Sequence, residues 1–204
     1  MSLKKMLLLA SMAFAAVAFM APAVAQADEW YTDHPTEETI PLGIEKEVEF
    51  TGELTSTSGG LRSGPCVVHV VVDVWNEEFA GGKVTGTGEV TSVKITTEPH
   101  CETNVPGCGI EEAFSNTEPP WHFNVGPGTV IDIEGANFTN IYTESCQAFG
   151  IPREVSAEGT LTGQAVNGEG EVCIVFNNSG HMTNLAGKPV TVDGEVCAPG
   201  LTLK

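Results

Sequence analysis

The sequence predicts an all-β fold: a single antiparallel β-sandwich, or an open or closed barrel, of about eight or nine strands stapled by disulfides. Three observations lead there. Period-two alternation recurs between Gly, Pro and Asn clusters, and helical periodicity is nearly absent. Six cysteines, an even number, stand at Cys66, Cys101, Cys108, Cys146, Cys173 and Cys197. Ahead of them lies an apolar leader of the kind that directs export to an oxidising compartment.

The leader has the parts of a signal peptide. Lys4 and Lys5 supply positive charge, and Met6 to Ala21 is uncharged and apolar. Ala25-Gln26-Ala27 offers small residues for cleavage after Ala27, where acidic sequence begins. The apolar run is short for a bilayer span, which needs about 20 residues. The expectation is therefore residues 1–27 as signal peptide, no membrane span after cleavage, and a secreted, periplasmic or envelope location. Residues 28–44 are acidic, hold Pro35 and Pro41 and show no period, so they read as an irregular N-terminal arm. Residues 45–204 then form a single domain. Two of the nine basic residues precede Asp28 and all 27 acidic ones follow Ala27, so the mature chain carries a formal charge near −20. That field repels nucleic acid and anionic lipid.

The first strand runs from Lys46 to Leu54, with Val48, Phe50 and Leu54 on one face and glutamates and Thr51 on the other. Cys66 to Trp75 places valines on both parities and reads as a central strand buried on both faces. Val84 to Thr97 alternates, but its apolar phase slips between Val90 and Val93, which predicts a β-bulge near Thr91-Ser92. Trp121–Val125 and Thr129–Glu134 suit a hairpin across Gly126-Pro127-Gly128, with Asn137–Thr143 a weaker strand. From Glu154 to Ala165 one parity is small or apolar and the other polar. Glu171–Phe176 and Pro189–Cys197 complete a mostly meandering order.

Six cysteines allow 15 pairings, and strand register narrows them. A three-residue loop at 126–128 sets Phe123 opposite Ile131 and Trp121 opposite Ile133, and aligns Cys108 with Cys146. Setting Cys173 opposite Cys197 pairs Ile174 with Val196. Setting Cys66 opposite Cys101 pairs Val72 with Ile95 and Val74 with Val93. The arrangement Cys66–Cys101, Cys108–Cys146, Cys173–Cys197 thus respects three hydrophobic patterns. A rival closes a local Cys101–Cys108 loop.

Local chemical motifs are sparse. His34, His69, His100, His122 and His181 show no metal-ligand spacing, and no HExxH, GxSxG or glycine-rich phosphate loop occurs. No cofactor is expected. Asp132, Glu134 and Asn137 offer hard oxygens around a glycine turn, a candidate calcium site that equally suits a solvated strand face. Glu154 with Glu158, and Asp193 with Glu195, are carboxylate pairs on shared faces. Trp121, His122 and Trp75 are the candidate ligand-binding side chains, since aromatics at strand starts can line a pocket.

Pro120, Trp121, Gly128, Gly135, Phe138 and Cys146, behind a signal peptide and a Gly/Thr-rich strand series, resemble secreted β-rich bacterial proteins of unassigned function. The resemblance implies an exported β fold and carries no catalytic residue. The functional expectation is a non-enzymatic envelope or extracellular binding protein, its partner an envelope component or a small ligand. The alternatives are a secreted hydrolase of polysaccharide or another polymer, and a small-ligand carrier with a barrel interior.

Overall fold

The structure is a computed structural model describing residues 29–32, 38–97, 101–118 and 120–204. The leader 1–27, His34 and His100 lie outside the described residues. Among the described residues twelve strands are formed: β1 (Trp30–Thr32), β2 (Glu38–Thr39), β3 (Lys46–Ser58), β4 (Leu61–Phe79), β5 (Lys83–Thr96), β6 (Ile110–Phe114), β7 (Trp121–Val125), β8 (Val130–Tyr142), β9 (Glu154–Asn167), β10 (Glu171–Asn184), β11 (Pro189–Pro199) and β12 (Leu201–Leu203).

Eight of them make a closed up-and-down barrel in which every neighbour is antiparallel. The ring runs β3, β4, β5, β7, β8, β9, β10, β11 and back to β3. The closing contact pairs Val190–Cys197 with residues 58–51 of β3. Closure pairs each of the eight ring strands on both sides, which removes the edges that an open sheet would leave. The ninth strand, β6, pairs with the far half of β8, beyond the stretch that β7 uses.

Alternation decides what fills the interior. Val68, Val72 and Val74 of β4, Ile131 and Ile133 of β8, and Leu161 and Ala165 of β9 turn inward and are buried. Such a barrel accommodates large side chains only where small ones face them. Gly88 of β5 is one such seat. A Cβ there would lie 2.5 Å from Cζ of Phe123 and 2.7 Å from the Asp73 carbonyl. Gly88→Ala is therefore expected to cost about 1–3 kcal/mol by overpacking, read as a lower denaturant midpoint. An unchanged midpoint would show that the Phe123 ring can move aside freely.

One barrel end is plugged. β1 pairs with β2 on one side and with β12 on the other, so residues near the two chain ends form a small sheet of their own. Trp30, Ile40, Leu201 and Leu203 from this plug enter the main core. Trp30 is fully buried and meets Phe123 edge-on, with ring centroids 6.4 Å apart. Residues 30–32 and 38–39 are thus not an irregular arm. Strands of two and three residues carry no readable period, and their partner lies about 170 residues away.

Local sequence reading meets further corrections. The hairpin register places Phe123 opposite Ile133 and Val125 opposite Ile131, a slip of two. The cause is a longer loop: a 3-10 turn at Pro127–Thr129 puts both Gly128 and Thr129 at positive φ. Asn137–Thr143 is no separate strand but continues β8 through a bulge between Ile133 and Ala136. Val68 faces Ile95 and Val70 faces Val93, a slip of four against expectation. The outer valines of β4, Val67 and Val71, are half-buried, not enclosed. The expected bulge is present: Ser92 faces Val71, Val90 faces Val72, and Thr91 is the extra residue.

Disulfides join Cys66 to Cys101, Cys108 to Cys146 and Cys173 to Cys197. The last lies across directly opposed residues of β10 and β11. The other two clamp the segment 101–109 against the start of β4 and against the 3-10 turn after β8, at the end opposite the plug. There they anchor a second, smaller core with Ile110, Ala113 and Tyr142. Three disulfides indicate a protein that resides outside the cytoplasm. No described helix is long and apolar enough to cross a membrane.

Candidate functional site

The barrel encloses a cavity of about 110 Å³. Its wall is built by the inward parity of the strands: Phe50, Val72, Val90, Trp121, Phe123, Ile133 and Phe176 surround its deep part. Polar lining is confined to the disulfide-clamped end, where Thr55, Ser56, Ser63, Ser115 and Asn140 contribute amide or hydroxyl groups. No charged side chain and no histidine lines it. The volume is comparable with that of an apolar cavity of ~150 Å³ that stays dry and binds benzene or xenon.

The three aromatic candidates do not converge. Trp121 is buried, lines the cavity, and donates its indole N–H to the Asn116 carbonyl at 3.0 Å. His122, the next residue, necessarily points outward and pairs with Glu89 at 3.0 Å. Trp75 is half-buried on the outer face of β4. Only Trp121 belongs to the interior site.

The hard-oxygen set is also dispersed. Asp132 Oδ1 accepts from the Thr162 hydroxyl at 2.6 Å. Glu134 stands exposed opposite His122. Asn137, beyond the bulge, gives its amide to the 115–118 loop: Nδ2 donates to the Asn116 carbonyl at 2.7 Å and Oδ1 accepts from the Asn116 amide at 2.9 Å. Asp132 and Asn137 act as strand and loop ties. One cluster of potential metal ligands occurs among the described residues, at Glu171, Cys173 and Cys197. Its two sulfurs are bonded to each other and so are not free to ligate.

The carboxylate pairs lie on the barrel exterior. Glu154 and Glu158 are exposed on β9, and Asp193 Oδ1 holds the Asn178 amide in the β10 bulge at 2.6 Å. Neither pair shares a cleft with Trp121, whose ring is inside. Two open grooves mark the outer wall, one polar across β8, β9 and β10, the other between β3, β10 and β11.

Sequence reasoning missed Thr55 and Asn140. Both are 6% exposed, and both line the cavity. Inward Asn140 breaks the apolar parity of β8, which was the available signal. The bulge at Ile133/Ala136 hid it by shifting the phase.

Fold and cavity together define a class: a disulfide-stapled, plugged up-and-down β-barrel with an apolar interior site. Comparison of the chain with protein-family models, with curated proteins and with solved structures finds no match.

Proposed function

We infer that this is an exported binding protein that holds a small apolar molecule inside the barrel, with residues 1–27 removed as its signal peptide. The observation that carries the reading is the apolar cavity within a closed eight-stranded wall. Eight strands leave an interior just wide enough to be filled by side chains or to hold one small ligand. Here the packing stops short of filling it. Burial in such a site gives affinity through the hydrophobic effect, at roughly 25 cal/mol per Å² of apolar surface. The strongly acidic exterior keeps the carrier soluble and disfavours nucleic acid and anionic membrane surfaces.

Toluene titration, followed by NMR of the Ile133, Leu161 and Ile174 methyl groups, tests this. These methyls are expected to shift in a saturable way. Val93→Phe, which places a ring in the cavity, is expected to abolish the shifts while the native far-UV circular dichroism persists. If lumenal methyls stay still in the wild type at saturating toluene, the reading fails.

A further inference from the structure

The three disulfides are not equally accessible. Cys66, Cys101, Cys108 and Cys146 are at most 7% exposed and belong to the second core. Cys173 and Cys197 are only half-buried. Their strands dictate this. Val172, Ile174, Val196 and Ala198 take the inward parity and are buried, so the cysteines between them face outward. A partly exposed bridge admits an attacking thiol, whereas a buried one shields its sulfurs.

Beside the outer bridge stands an uncommitted carboxylate. Glu171 precedes Cys173 by two residues, shares its face and is also half-buried. One of its carboxylate oxygens and the two sulfurs lie within 4.8 Å of one another. Among the described residues the Glu171 carboxylate has no hydrogen-bond or ion-pair partner. The register neighbours are neutral or acidic. Val166 of β9 and Thr51 of β3 flank the bridge, and Glu195, two residues before Cys197, faces Glu53. This field favours a cation. In the oxidised protein the sulfurs are bonded to each other. Once parted, the same residues present two thiolates and a carboxylate from two paired strands. That is the donor chemistry of a zinc site with three protein ligands and a water in the fourth position.

We propose that Cys173–Cys197 is a redox-gated metal site. It is shut as a disulfide, and it holds a thiophilic divalent cation such as zinc through Cys173, Cys197 and Glu171 once a dithiol reductant has opened it. The dithiol supplies two electrons and two protons. Its own sulfurs join as a disulfide while the Cys173–Cys197 bond breaks into two thiols. Zinc then forms two Zn–S bonds, releases both thiol protons to solvent and takes a Glu171 oxygen as third ligand. The buried neighbours Ile174 and Val196, directly opposed, keep β10 and β11 in register while the bridge is open.

The test treats the folded, oxidised protein briefly with limiting dithiothreitol, which is removed before cadmium is added as the probe metal. Alkylation and peptide mass mapping are expected to find Cys173 and Cys197 labelled and the other four cysteines still paired, with the strand circular dichroism intact. Cadmium is then expected to bind once per chain with a cadmium–thiolate charge-transfer band, and zinc to displace it. The oxidised protein and the double variant Cys173→Ser, Cys197→Ser are expected to show no band. Glu171→Gln is expected to weaken cadmium binding about tenfold or more, the low end of what even an outer-shell partner of a metal is worth, without changing which bridge opens first. Earlier opening of either buried bridge overturns the site. So does loss of the strand spectrum when the outer bridge alone is open, a band in the double variant, or equal cadmium affinity in Glu171→Gln.

Discussion

Complete reduction of the three disulfides is expected to unfold the barrel at room temperature. The bridges close segments of 35, 38 and 24 residues. The segments 66–101, 108–146 and 173–197 do not overlap, so their effects on the unfolded chain add to first order. In the chain-entropy treatment each contributes about 3–4 kcal/mol, together on the order of 10 kcal/mol. A whole domain is stable by roughly 5–15 kcal/mol. Reduction therefore removes most or all of the margin. The measurement is far-UV circular dichroism and thiol alkylation in excess reductant. Six alkylated cysteines with loss of the strand spectrum is the expected result. A fully alkylated protein that melts within a few degrees of the oxidised form would show that the core alone carries the fold. A graded result is also expected from the paired removals. Replacing Cys173 and Cys197 releases one strand pair on the outer wall, whereas replacing Cys66 and Cys101 also loosens the clamped segment beside the polar end of the cavity.

Asn76→Leu is expected to detach the plug. Asn76 is fully buried at the far end of β4. Its Nδ2 donates to the carbonyls of Trp30 at 3.0 Å and Ile40 at 2.8 Å, and its Oδ1 accepts from the Trp30 amide at 2.8 Å. One side chain thus ties three backbone groups, of which the Trp30 carbonyl also accepts from the Ile40 amide at 3.0 Å. Leucine has similar volume and offers none of these bonds. Each buried group left unpaired costs about 1–3 kcal/mol. The total is about 3–5 kcal/mol, similar to deleting the Trp30 ring, for which Trp30→Ala is the comparison. Because the plug is a separate small sheet, the loss is expected to be local. Hydrogen exchange at residues 30–32 and 201–203 accelerates strongly, while β4 and β10 keep their protection. Persisting protection in the plug would mean that Trp30, with its indole N–H donated to the Thr87 carbonyl at 3.1 Å, holds it without Asn76.

The contrast between these two devices shows how much was legible in the sequence. The Cys173–Cys197 bridge was readable because a disulfide joining two strands must obey facing rules, and alternation reveals facing. Ile174 opposite Val196, with Cys173 opposite Cys197, is the register found. Asn76 was not readable. It sits on the inward parity of a valine-rich strand, and nothing in its neighbourhood names Trp30 or Ile40 as partners. Asn140 was hidden for another reason, since a bulge on β8 shifts the phase by which inward residues are counted.

Two errors of register are instructive. The β7–β8 hairpin slipped by two residues and the β4–β5 pair by four, yet every apolar residue stayed on its expected face. Side chains alternate with period two, so an even slip preserves inside and outside. By itself, then, the sequence determined the all-β class, the place of the long barrel strands, the facing of most of their apolar residues and a disulfide arrangement consistent with them. Tertiary structure alone decided that the meander closes as a barrel and not a sandwich, because closure depends on β11 reaching β3 across the whole domain. It decided that the chain ends fold into a plug, because strands of two or three residues exist only through their partners. And it decided that a cavity, polar at one end, remains inside. Alternation says which side chains point inward, but only packing in three dimensions says how much room they leave.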